Sequence, residues 1–474
     1  MELQQEENGK QFKRELNLLD ATLLVVGSMV GSGIFIVSAD IARHTGSAGW
    51  LILVWIIGGF MTLTAALSYG ELSGMYPKAG GQYVYLKESY NPLTAFLYGW
   101  SLFAVIQTGT IAAVGVSFYK FLAYFIPSVS EDLVLFSIGS FKVSPAQVLA
   151  IGLIFILTYI NTKGVKGGKW IQLIFTLTKI ASIAGLIIFG FVFFKSDVVS
   201  INWSDAFSFK KILPDGSFLS YENLPAFGGA LASALVGAIM SYEAWNNVTF
   251  VAGEINNPKK NIGLSLLLGT LLVTLIYVLL NLMFTMVLPL TEIATTEKDR
   301  VGIAASQAIF GANGTIIIAL LIMVATFGCN NGLILAGARV YYSMAKDGLF
   351  FKKTAKLNKH AVPEFALWIQ FVMASILCLS GKYGDLLDMI TFIAVLFYVL
   401  TIFCIYILRV KKPDVERPYK AIGYPVLPAI YIVLGLSFCI LLIIYKPYFT
   451  WPGLIITLIG IPLYYWNKRT TVAE

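Results

Sequence analysis

Twelve apolar runs, each near the ~20 residues an α-helix needs to cross a bilayer, recur along this 474-residue chain. They read at 19–37, 48–71, 92–124, 146–162, 171–194, 225–252, 264–288, 314–343, 364–380, 386–408, 425–445 and 448–466. Hydrocarbon offers no partner to backbone N–H and C=O groups, so such runs have to satisfy them internally as helices. With 57% hydrophobic and 13% charged residues, the chain lacks the polar surface of a water-soluble domain. It reads as an all-α polytopic membrane protein.

Residues 1–18 are charged and polar, so the first run is expected to be a true span and not a cleaved signal peptide. The short loops give the orientation. With the N-terminus inside, roughly twenty-three Lys/Arg fall on the cytoplasmic side, including Lys10, Lys13, Lys78, Lys87, Lys163, Lys166, Lys169, Lys259, Lys260, Lys468 and Arg469. About ten fall outside. Twelve spans then put both termini in the cytoplasm, as expected for a plasma-membrane protein. The net charge of +8 is a topology signal, and no nucleic-acid partner is expected.

Other classes lack their chemistry. Cys329, Cys378, Cys404 and Cys439 all fall inside spans without a CxxC pair, and His44 and His360 lie far apart in loops. No paired carboxylates face a base, and no phosphate loop is present, so neither an enzyme nor a cofactor is expected.

The stretch VVGSMVGSGIF (25–35) crowds three glycines and two serines into the first span. Gly27 and Gly31 have the GxxxG spacing of close helix packing. The alternative is a helix that unwinds at Gly31-Ser32-Gly33, freeing backbone groups for a polar ligand. A free amino acid fits both ends of such a break. Its carboxylate would meet the amides opening the second half-helix. Its ammonium would meet carbonyls near Met29 and Val30, and near Met240 and Ser241 in span six. That sixth span, ALVGAIMSYEAWNNVTFVAGE (234–254), carries Ser241, Glu243, Asn246 and Asn247 within an apolar stretch. Interruptions at matching places in two halves point to a transporter's central site.

Five segments in order resemble the amino acid–polyamine–organocation (APC) superfamily of permeases: GSGIF (31–35), SYGELSGMYPKAGGQYVYL (68–86), AWNNVTFVAGEINNPKKNI (244–262), GARVYYSMAKDGLF (337–350) and RVKKPDVERPYKAIGYP (409–425). The wording is most similar to the L-type branch, and a loop at 125–145 without the partner-linking cysteine of its animal members points to a bacterial protein. The resemblance implies a LeuT-like fold of two inverted five-helix repeats, with helices 1 and 6 unwound at mid-membrane and two helices added at the C-terminus. In this chain that divides into 1–18, repeat 19–194, external loop 195–224, repeat 225–408, cytoplasmic loop 409–424, helices 425–466 and tail 467–474. It also implies that Gly31, Ser32 and Gly33 hold the substrate carboxylate.

Two departures from the family stand in span six: Met240 where an aromatic gate is common, and Glu243-Ala244 where glycines are common. Glu243 would meet the substrate ammonium, bind a cationic side chain, or only solvate the break; Asn246 is a further candidate there. Phe392 in span ten is read as a wall of the side-chain pocket, and Gln107 and Thr108 line it or join helices. Lys179 lies mid-span, where a charge costs ~2.5–3.5 kcal/mol on insertion scales. It is either a tether for freed carbonyls or, as the resemblance implies, the cation that replaces sodium beside Thr326, Cys329 or Asn330. Glu71 and Glu254, near span ends, read as ion-pairing groups.

The expectation is a sodium-independent carrier of neutral L-amino acids working by alternating access and exchange. A proton-coupled symporter, a cationic amino acid or polyamine permease, and a non-transporting sensor are the other readings. The loop at 125–145 has no cysteine, so no disulfide-linked heavy subunit is expected. The remaining partners are the lipid bilayer and the amino acid.

Overall fold

The computed structural model describes residues 12, 14–130, 132–139, 141–380 and 383–472. Lys10 and Lys13, and the side chains of Lys166, Lys169, Lys468 and Arg469, lie outside the described residues. The first run is divided into α1 (Leu18–Met29) and α2 (Gly33–Thr45), bent by 44° at the break. α3 (Ala48–Met75) and the short α4 (Gln82–Ser89) follow. α5 (Pro92–Ser101), a π-helical turn at Leu102–Ile106 and α6 (Gln107–Leu122) form one rod. α7 (Pro145–Thr162) and α8 (Val165–Val192) complete this half. Several starts are capped as the sequence dictates: Asn17 and Ser144 make capping boxes, and Asn91 and Asn223 precede a proline at the first turn.

The region at 195–224, expected to be a turn-rich loop, is built differently. It carries α9 (Ser196–Trp203) and a hairpin, Lys210–Ile212 with Phe218–Ser220, closed around Pro214-Asp215-Gly216. A second small hairpin, Phe136–Ile138 with Phe141–Val143, sits in the earlier loop. Beyond these lie α10 (Leu224–Ser241), α11 (Asn247–Phe250), α12 (Pro258–Val287) and α13 (Leu290–Thr295). α14 (Val301–Lys346) is kinked at Gly311, whose φ of 69° no side-chain-bearing residue adopts cheaply. α15 (Glu364–Ser380), α16 (Tyr383–Lys411), α17 (Val426–Tyr445) and α18 (Pro447–Val472) end the chain.

Among the described residues, nine helices are long and apolar enough to cross a membrane, ten if α1 and α2 count as one span. The runs read at 364–380 and 448–466 are helices, α15 and α18, outside that set; α18 holds Pro452 and Pro462 internally. The protein is an integral membrane protein of helical build. Large apolar side chains such as Ile188, Leu275 and Val433 point outward, as a lipid-facing surface requires.

Ion pairs gather at the two ends of the bundle. At one end Arg43 meets Asp299 at 2.7 Å and Lys298 meets Asp132 at 3.1 Å. At the other, Lys87 meets Asp347 at 2.6 Å and Arg339 meets Glu254 at 2.9 Å. Glu71 there takes both Arg409 Nε (3.0 Å) and Nη2 (2.8 Å), and the Ala421 amide at 2.7 Å. Glu71 and Glu254 thus pair as read. Both members of Arg339–Glu254 are 1% exposed, so removing one strands a buried charge. Arg339→Met is expected to cost ~3–5 kcal/mol, read as a lowered melting temperature in detergent. Glu254→Gln with Arg339→Met should recover most of the loss, and an unchanged single variant would contradict this account.

Candidate functional site

The first span loses its helix where its small residues cluster. α1 ends at Met29, Val30 turns extended (φ −76°, ψ 96°), and α2 starts at Gly33. Carbonyls freed inside hydrocarbon cost several kcal/mol each when unmet. Four in a row are affected, and three side chains meet them. Lys179, fully buried on α8, donates from Nζ to Gly27 O (2.5 Å) and Val30 O (2.7 Å). The Cys329 thiol on α14 donates to Ser28 O at 3.0 Å. The Tyr277 hydroxyl on α12 lies 3.0 Å from Met29 O and 3.0 Å from Ser241 O. A phenol carries one proton, so it serves one of these two carbonyls at a time.

The sixth span breaks directly opposite. α10 ends at Ser241, Glu243 closes a turn through its N–H to Met240 O at 3.1 Å, and Ala244 sits at φ 70°. Helix resumes only at Asn247. Tyr242 anchors the loop by donating to Trp55 O at 3.0 Å. The Glu243 carboxylate accepts a short hydrogen bond from Tyr398 on α16. Asn246 Nδ2 donates to Gln82 Oε1 (3.0 Å), and Gln82 Nε2 to Thr401 Oγ1 (2.9 Å). A buried polar chain therefore runs from the break down to α4.

Between the breaks lies a cavity of about 40 Å³, room for a few water molecules. Met29, Gly31, Ser32, Gly33, Met240, Ser241, Glu243 and Cys329 line it, as do Ser28, Thr110, Ala113 and Val114. Ser32 makes no side-chain cap, so the first N–H groups of α2 lack intrahelical partners at the cavity edge. The Ser28 hydroxyl is buried with no hydrogen-bond partner among the described residues. The glycines have a second task. A Cβ on Gly33 would lie 2.6 Å from Ser241 Oγ, and one on Gly31 would lie 3.1 Å from Cys329 Sγ. They bring the first span against α10 and α14.

The other expected residues lie around the break as follows. Val30 lies outside the cavity wall and its carbonyl accepts from Lys179. Phe392 is buried elsewhere in the core; the wall comes from Thr110, Ala113 and Val114 on α6. Asn246 is tied to Gln82 and does not line the cavity. Asn330 lies against Gly115 on α6, whose added Cβ would meet its Nδ2 at 3.5 Å, whereas the Cys329 thiol bonds to Ser28 O of the broken span. Successive helical residues point ~100° apart, which turns the two side chains towards different neighbours. Gln107 Nε2 donates to Leu333 O on α14 and so joins two helices, whereas the Thr108 hydroxyl donates to Phe103 O within its own rod. Sequence reasoning missed Tyr277 and Ser28. Among the described residues no group of three metal-type ligands occurs, and the cysteines are free and buried.

A helical membrane bundle whose polar centre is made of two broken spans defines a carrier of small molecules. The chain belongs to the amino acid permease family, which it matches over residues 16–464. It is a transporter and not an enzyme. It is similar to the serine/threonine exchanger SteT of Bacillus subtilis (strain 168), at 29% identity over 473 residues, 98% of each chain. It is 28% identical to the mouse b(0,+)-type amino acid transporter 1 over 444 residues, covering 92% of this chain and 84% of that one. The human cystine/glutamate transporter is 28% identical over 467 residues, 97% of this chain and 87% of its own.

The left-handed Ala244 gives a test of the break. That conformation costs an L-residue ~1–2 kcal/mol, and glycine would forgo it while adding ~0.4–1 kcal/mol of unfolded-chain entropy. Ala244→Gly should therefore stabilise the protein by ~0.5–1 kcal/mol net, and Ala244→Val should destabilise it. Melting curves in detergent decide; the reverse order would mean the loop does not hold Ala244 as described.

Proposed function

We propose that this protein exchanges neutral L-amino acids across the plasma membrane by alternating access without sodium. The observation that carries the reading is the pair of facing helix breaks around one cavity, with a buried lysine closing the first. The substrate carboxylate sits on the Ser32 and Gly33 amides at the positive end of α2. Its ammonium sits between Met29 O and Ser241 O, where Tyr277 yields one carbonyl to it, and Glu243 lies beside it. The unpartnered Ser28 hydroxyl takes a substrate oxygen. The reading extends to twelve spans arranged as two inverted five-helix repeats plus two helices, with both termini cytoplasmic and no disulfide-linked subunit.

The small cavity favours small side chains, and the flexible Met240 is the wall best able to give way. The Bacillus relative, similar from end to end and named for serine and threonine exchange, supports both the substrate class and the exchange mode. Lys179 supports sodium independence. Its ammonium supplies the positive charge that a sodium ion would bring to the broken span. A second cation ~4 Å away would be repelled by ~4 kcal/mol at an effective dielectric of 20.

In proteoliposomes loaded with serine, uptake of labelled serine is expected to be equal with sodium or choline outside, and to fall when internal serine is omitted. Uptake that required sodium would end this reading. Competition by lysine or arginine, with none by alanine, serine or leucine, would move it to a cationic carrier. Binding without any uptake would make the protein a sensor.

Gly33 needs a paired variant, because a side chain there also strikes Ser241. Ser241→Gly removes that contact. Gly33→Val in the Ser241→Gly background should melt as Ser241→Gly does yet bind serine at least about tenfold more weakly, a loss of ~1.4 kcal/mol. Unchanged affinity would remove the carboxylate from the α2 amides.

A further inference from the structure

A second cavity lies away from the two helix breaks. It measures about 480 Å³ and is lined by Phe96, Trp100, Phe103, Phe350, Lys352 and Trp466, among others. Its lining joins α5 and the π-helical turn that follows it, the chain just after α14 and the end of α18, at the end of the bundle where Lys87 pairs with Asp347. Its size is that of a ligand pocket, whereas the central cavity is about 40 Å³. Except for one lysine and one asparagine its lining is apolar, mostly aromatic.

The walls are fixed. Trp100 Nε1 donates to Ile456 O at 2.7 Å, tying α5 to α18, and Asn467 Nδ2 donates to Gly348 O at 3.4 Å. Phe103 packs edge-on against Tyr341 (5.4 Å) and Phe350 (5.3 Å), making a rigid aromatic floor. Trp466 is 68% exposed at the rim. Tryptophans in this position mark the level of lipid headgroups. The rim is also basic: residues 346–359 hold five lysines against the single acid Asp347.

We propose that this groove is a binding site for an anionic phospholipid. One acyl chain lies on the aromatic floor between Trp100 and Phe350, and the phosphate meets Lys352 at the rim. An apolar trough facing lipid would accept any acyl chain; the lysine at one end is what selects the headgroup. A single lysine near the membrane surface gives roughly a fivefold preference for an anionic over a zwitterionic lipid. The site is independent of the substrate proposed above, because none of its residues borders the helix breaks.

The test uses the full-length protein in nanodiscs of phosphatidylcholine, titrated with brominated-acyl phosphatidylglycerol or brominated-acyl phosphatidylcholine. The emission lost between wild type and Trp466→Phe isolates the reporter at the rim. Phosphatidylglycerol is expected to quench that emission at roughly a fivefold lower mole fraction than phosphatidylcholine. Lys352→Gln should erase the difference between headgroups while leaving acyl-chain quenching in place. This substitution is at an exposed position, so folding is preserved, and a melting curve checks it. Equal quenching by the two lipids in wild type would overturn the site. A preference that survives Lys352→Gln would do the same, assigning it to the general basic surface.

Discussion

The ammonium of Lys179 on the carbonyls of Gly27 and Val30 is the contact on which the centre of this molecule depends. Each side of it would be costly alone. A mid-membrane lysine costs ~2.5–3.5 kcal/mol on insertion scales, and each freed carbonyl costs several more. Together they offset one another, so the break and the lysine require each other. Cys329 and Tyr277 finish the cap by meeting the two carbonyls between. That cap leaves the opposite half-helix, α2, with its amide end open. That asymmetry is the ground on which the carboxylate site is proposed.

The same economy shapes the packing around it. Gly31 and Gly33 are small because Cys329 and Ser241 stand against them, so the residues that allow the break also hold the bundle together there. At the ends of the bundle, buried carboxylates do the corresponding work. Glu71 gathers Arg409 and the Ala421 amide, fixing the chain after α16 beneath α3. Breaking one partner of such a pair costs far more than the pair contributes in place, so these contacts specify loop positions more than they add stability.

Much of this was legible in the sequence, and the failures have physical causes. Glycines beside serines in an apolar run, and a carboxylate with two asparagines in another, marked both breaks, because hydrocarbon tolerates neither without a reason. Lys179 was legible on the same ground. Tyr277 was not, since a tyrosine in an apolar helix reads as packing until its hydroxyl is seen between two carbonyls. Which residues of α6 face the cavity was not legible, because the π-helical turn at Leu102–Ile106 changes the phase of the rod. That turns Gln107 and Thr108 aside and brings Thr110 round. The hairpin at Lys210–Ser220 has strands of three residues, too short for a period of two to register; only its turn residues spoke.

Glu243 and Ala244 at the sixth-span break make sense as a unit. Ala244 holds ~1–2 kcal/mol of backbone strain, and strain persists only where surrounding contacts over-determine it. Here those contacts are the Glu243–Tyr398 hydrogen bond on one side and the Asn246–Gln82–Thr401 chain on the other. Both lead to α16, and the second also to α4, so the sixth-span break is braced against elements outside the first span. The first-span break is braced from α8, α12 and α14 instead. The two breaks meet at the centre, where Gly33 packs against Ser241 and the Tyr277 hydroxyl lies 3.0 Å from both Met29 O and Ser241 O.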